Sequence, residues 1–149
     1  MKLQKILLAA MAVVIAAATV AFYETPSPIL YDASRLEPDN IWIEWMRPTG
    51  ENTEPEGVEV SEQVDREAVR EILSRYTRSR AKMSGKRFYM ISPGEIDLTM
   101  HLEGDGPSHI VLGADDGASN FVYSSFDEGI YEIYDAPDLY AELAALLPR

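Results

Sequence analysis

The spacing of hydrophobic and polar positions changes several times along this chain, and each change predicts an element. Residues Ile6 to Phe22 form an uncharged, mostly apolar run behind Lys2 and Lys5, the pattern of a targeting segment. As a helix this run covers about 26 Å, longer than the apolar region of most signal peptides and just short of a bilayer core of roughly 30 Å. A cleaved signal peptide and a retained membrane anchor both fit residues 1–22. Ala16 with Ala18, and Thr19 with Ala21, offer two A-x-A-like places for a signal peptidase to cut. In either case the lysines favour the cytoplasmic side, so the chain beyond Tyr23 is expected to be extracytoplasmic, secreted or tethered to the cytoplasmic membrane.

Residues 23–40, YETPSPILYDASRLEPDN, hold three prolines among scattered polar positions and predict a spacer. Apolar and polar residues then alternate through Ile41 to Met46, which predicts a strand with Trp42 and Trp45 on opposite faces. The stretch TGENTEPEGVEVS reads as a solvated loop. From Asp65 the period becomes helical. Ala68, Val69, Ile72, Leu73, Tyr76 and Met83 share one arc, Asp65 suits the N-cap and Gly85 the position past the end, which predicts a helix over 65–84.

Beyond Gly85 the period falls to two. Ile96, Leu98, Met100 and Leu102 alternate with polar residues, and further strands are expected at 88–92, 109–112, 120–124 and 130–134, joined by short turns. Asp135, Pro137 and Asp138 then open a helix whose Leu139, Leu143, Leu146 and Leu147 share a face, closed by Pro148. The expected fold is α+β: an antiparallel sheet of about four strands with two amphipathic helices packed on one face, after an N-terminal targeting helix. Residues 41–149 form the single domain.

The closing run FVYSSFDEGIYEIYDAPDLYAELAALL, Phe121 to Leu147, resembles the end of a group of small exported bacterial domains of unknown function. Gly129, Ile130 and Tyr131 are the residues that carry the resemblance. It implies an order of strand, helix, sheet meander, GIY-type strand and closing helix, and an exported location. It implies no catalytic residue.

Composition narrows the chemistry. The chain has no cysteine, which removes disulfides, thiolate catalysis, cysteine zinc sites and a lipidated cysteine. No G-x-S-x-G, H-E-x-x-H, glycine-rich phosphate loop or EF-hand pattern occurs in it. His101 and Glu103 fall two apart on the polar side of a strand with Asp97, and His109 begins the next. Such a group offers a general base or metal ligands. The same alternation also brings polar residues together on any wet strand face, and no metal, cofactor or catalytic residue is expected. The acidic turns at Asp105, Asp115, Asp116, Asp127 and Glu128 read as ordinary turn formers and not as calcium sites.

Charge adds the largest anomaly. The chain carries a net −12, yet Arg75 to Arg87 holds six of its thirteen basic residues and no acidic one. As a helix terminus the run complements the dipole and nearby acidic turns. As a surface it offers a patch for an anionic envelope surface or an envelope protein of opposite charge. The overall charge and the outward location disfavour nucleic acid. The expected function is a non-catalytic binding module of the cell envelope, with Arg75, Arg78, Arg80 and an exposed Trp42 as the candidate partner surface. The alternatives are a metal-dependent or other enzymatic domain built on His101 and neighbouring carboxylates, and a passive structural envelope protein.

Overall fold

The computed structural model of the chain describes residues 2–30, 32–47, 56–84, 94–101, 107–113, 120–124 and 127–148. The apolar run is one helix, α1 (Lys2–Glu24), exposed from Gln4 to Glu24 and long and apolar enough to cross a membrane, a property that signal sequences share. Thr25 closes it, its backbone N–H and its hydroxyl both donating to the Ala21 carbonyl at 3.1 and 2.7 Å.

Among the described residues ten further strands and α-helices follow: β1 (Ser27–Pro28), β2 (Ile41–Arg47), β3 (Glu56–Glu59), α2 (Arg66–Arg75), β4 (Thr77–Lys82), β5 (Ile96–His101), β6 (Pro107–Leu112), β7 (Asn120–Ser124), β8 (Gly129–Ile133) and α3 (Ala136–Ala144). The strands make one antiparallel sheet in the order β1-β4-β8-β7-β6-β5-β2-β3. The α+β class holds, but the sheet has eight strands among the described residues where about four are expected. Three stretches account for the difference.

The first is the second half of the long helix. Asp65 caps α2 as expected, its carboxylate accepting from the N–H groups of Glu67 and Ala68 at 3.1 Å. The helix nevertheless stops at Arg75, and Thr77 to Lys82 form β4. The backbone there finds partners on both sides, since Ile29 N–H donates to the Tyr76 carbonyl and Tyr134 N–H to that of Thr77. Thr77 and Ser79 are poor helix residues to begin with, and the cross-strand bonds override what propensity remains.

The second stretch is the expected spacer. Ser27 and Pro28 pair with Arg78 and Thr77, and Ile29, Leu30 and Leu36 are buried in the same core as the sheet. Residues 27–30 and 32–36 therefore belong to the domain. The third is the acidic loop, where Glu56–Glu59 pairs with β2 as an outer strand. The strand expected at 88–92 lies outside the described residues.

One core holds the fold together. Ile41 and Ile43 of β2, Ile96, Leu98 and Met100 of β5, Ile110 and Leu112 of β6, Val122 of β7 and Ile133 of β8 meet Val69, Ile72 and Leu73 of α2 and Ala136, Leu139 and Leu143 of α3. Both helices thus cover one face of the sheet, as their apolar stripes require. α3 begins where the sequence places it, although Asp135 sits in the left-handed region (φ 55°) and makes no side-chain cap. Its backbone carbonyl instead accepts from Asp138 and Leu139.

Both sheet edges are blunt. β1 is two residues long and ends in proline, while β3 is four residues long and carries a glutamate at each end.

Candidate functional site

The basic run loses its isolation once it is a strand. Arg78, Arg80 and Lys82 alternate with Thr77, Ser79 and Ala81 along β4, and each basic side chain has a partner. The Arg78 guanidinium lies over the Tyr131 ring, 3.9 Å from its centroid. Arg80 lies over the Phe22 ring of α1 at 4.4 Å and donates from Nε to the Thr25 carbonyl at 3.1 Å. Lys82 donates to the Asp127 carbonyl at 2.6 Å and pairs with its carboxylate at 3.6 Å. Arg75, at the end of α2, pairs with Glu142 of α3. Four of the six basic residues therefore work inside the chain, and Lys86 and Arg87 lie outside the described residues.

These contacts tune the groups they touch. Burial and a 2.9 Å hydrogen bond to the Glu142 carboxylate push the Tyr76 hydroxyl up to about 12. The same hydrogen bond, helped by Arg75, holds Glu142 below the usual carboxylate range. Burial works against the charge of Asp127. The Tyr131 hydroxyl and Lys82 outweigh it and hold that carboxyl low. Of the acidic turns considered as calcium sites, Asp127 is thus engaged by protein donors, and Asp105, Asp115 and Asp116 lie outside the described residues.

Trp42 is 42% exposed, on the sheet face opposite the helices. Strand register builds that face in two rows. Trp42, Thr99, His109, Tyr123 and Ile130 lie side by side across β2, β5, β6, β7 and β8. Beside them run Glu59, Glu44, Asp97, Val111, Phe121 and Glu132. Three carboxylates stand next to one another across β3, β2 and β5, an arrangement that like-charge repulsion disfavours. The exposed His101 ring meets Trp42 edge to face, with centroids 5.0 Å apart.

Asp97, His109 and Thr99 meet in the middle of this face. The Thr99 hydroxyl is 3.1 Å from His109 Nδ1, and the Asp97 Oδ1 oxygen is 3.8 Å from the same nitrogen. That longer distance leaves Oδ1 buried without a hydrogen bond. Burial raises the Asp97 carboxyl above its usual range, His109 draws it back, and Glu44 adds to the rise. A nucleophile–base–carboxylate relay needs the hydroxyl and the carboxylate on different ring nitrogens, one to give up a proton and one to orient the base. Here both approach Nδ1.

Comparison with known proteins adds no identity. No protein-family model, no curated protein and no solved structure matches this chain.

The geometry therefore separates the residues that the sequence groups together. His101 is paired with Trp42, Asp97 with His109, and Glu103 lies outside the described residues. Among the described residues no three His, Asp or Glu side chains converge to hold a metal. Trp42 stays accessible, while Arg75, Arg78 and Arg80 are committed to other parts of the fold. The row through His109, Thr99 and Tyr123 is legible in the alternation of each strand. Which residues lie opposite one another depends on register.

Proposed function

We propose that the chain is a small exported bacterial domain that works by binding an envelope protein through the Trp42 end of the helix-free face of its sheet. One observation carries this reading: the exposed Trp42 stands with His101 on a sheet face whose neighbouring row holds Glu59, Glu44, Asp97 and Glu132. Tryptophan contributes large contact area at low entropic cost and is enriched where binding energy concentrates. The exposed carboxylates of Glu44 and Glu59 beside it complement basic side chains on a partner. The polarity is the reverse of the one the basic run suggests, because the arginines of that run are occupied internally. The likeness of residues 121–147 to small exported domains agrees with the location.

Affinity capture from envelope extract tests the reading, with wild type, Trp42→Ala and the triple Arg75→Ser, Arg78→Ser, Arg80→Ser variant as baits. A partner retained by wild type and lost by Trp42→Ala supports it. A partner lost only by the triple variant moves the surface to β4, and no retention by any bait counts against a binding module. Metal titration addresses the enzymatic alternative: stoichiometric binding abolished by His101→Ala is the result that would establish it.

A further inference from the structure

We infer that α1 is retained after export, and that Arg80 fixes it to the sheet so that the domain stands on the bilayer surface and does not swing from a flexible linker. The inference rests on the exported location proposed above and goes beyond it in two respects, the fate of the helix and the posture of the domain.

Retention follows from how the helix is built. Its 23 residues extend about 34 Å, of which the uncharged stretch Ile6 to Phe22 covers about 26 Å of a hydrocarbon core of roughly 30 Å, with Lys5 and Glu24 flanking it. Its unbroken apolar stretch, Ile6 to Phe22, is longer than the roughly 7–15 residues of a signal-peptide apolar region. Both A-x-A-like sites lie inside continuous helix. The Thr19 hydroxyl donates to the Ile15 carbonyl at 2.8 Å, and the Ala21 carbonyl, at the second cut, accepts two bonds from Thr25. Phe22, the residue after that cut, already lies under Arg80.

Posture follows from β4. Only Thr25 and Pro26 separate α1 from β1, and Ser27 pairs with Arg78. Two residues leave no room for a flexible linker. β4 runs back past this junction, so Arg78 lies beside Ser27, and Arg80 reaches Thr25 and the ring of Phe22 in the last turns of α1. Phe22 and Tyr23, packed edge to face at 5.4 Å, sit where aromatic side chains prefer the membrane–water boundary. Arg80 then lies at headgroup level, with a stem along apolar surface and a cation towards phosphate. Ala81 is on the membrane side of that contact, and Ser74 is beyond the opposite end of β4.

The absence of native cysteine makes the test direct, because single-cysteine variants of the full chain carry one label each. Ala81→Cys, produced in an exporting bacterial host, is expected to react with a membrane-impermeant thiol reagent in intact cells. The membrane fraction is expected to yield the intact chain by mass. Unlabelled protein overturns the exported location and this inference together. Labelled protein lacking residues 1–18 or 1–21 overturns retention alone.

For posture, the full chain is placed in vesicles of phosphatidylglycerol and phosphatidylethanolamine containing nitroxide lipid, with a dye on Ala81→Cys or Ser74→Cys. Stronger quenching at position 81 than at 74 is expected, and the contrast should collapse in Arg80→Ser and in Phe22→Ala. Equal quenching at the two positions overturns the posture. So does a contrast that survives both variants. Phe22 lies outside the domain core, so its variant keeps the test valid if Arg80→Ser fails to fold.

Discussion

The Arg78 guanidinium covers one side of the Tyr131 ring while Gly129 lies against that ring in the same strand, where an added Cβ would come within 2.7 Å of ring atoms. The GIY sequence of β8 is thus a packing device: glycine makes room for the tyrosine two residues on, and the arginine of the neighbouring strand lies over it. Arg78→Ala should destabilise the domain by about 0.5–2 kcal/mol, the range of partly desolvated cation–π contacts. Gly129→Ala should cost about 1–3 kcal/mol through overpacking. Urea denaturation of each variant measures both.

Leu36 is fully buried although it belongs to a segment whose sequence reads as a spacer. Leu36→Ala should cost about 2–5 kcal/mol, the usual result of truncating a core leucine. A true spacer residue would give nearly zero. Thermal unfolding of the two proteins separates these outcomes.

The contact of Tyr76 with Glu142 gives stability a dependence on pH at both ends. Glu142 titrates below its ordinary value in the fold, so its contribution is present above the unfolded pKa and is lost as pH falls through the folded one. Tyr76 is held protonated, so its contribution is full below its unfolded value of 10 and is lost as pH rises towards about 12. Glu142→Gln should flatten the acid side of the stability profile. It should also bring the Tyr76 ionisation down in a spectrophotometric titration.

Asp97 has the opposite sign. Its folded pKa is raised, chiefly by burial, so its contribution is greatest below the unfolded pKa and falls as pH rises through the folded one. Asp97→Asn removes the unbonded charge and the repulsion from Glu44 while keeping the size of the side chain. The urea midpoint should rise near neutral pH, and the gain should shrink in acid. An unchanged or lower midpoint near neutral pH would show that His109 compensates the charge.

The sequence reveals elements wherever a period runs uninterrupted. β5, β6, β7, the start of α2 and the onset of α3 all follow from alternation, or from a polar residue ahead of an apolar stripe. It misleads at β4, because TRSRAK satisfies two periods. Tyr76 and Met83 continue the helical arc of α2, while Arg78, Arg80 and Lys82 alternate with small residues as a strand does. Pairing with β1 and β8 decides between them, and those partners lie far away in sequence. β1 is hidden for the same reason, since Ser27 and Pro28 form a strand only because β4 is beside them. The candidate site was legible as residue types and not as neighbours. His101, His109 and Asp97 stand out in the sequence, but Trp42 as the partner of His101, and the crowding of two groups at one nitrogen of His109, require the register.

The blunt edges have a consequence for crowding. A chain confined to a membrane plane meets copies of itself more often than one free in solution, and an open strand edge would let sheets join end to end. The proline of β1 withholds an N–H, and Glu56 and Glu59 would place carboxylate against carboxylate if two β3 strands met. Self-association through the strands is therefore resisted at both ends of the sheet.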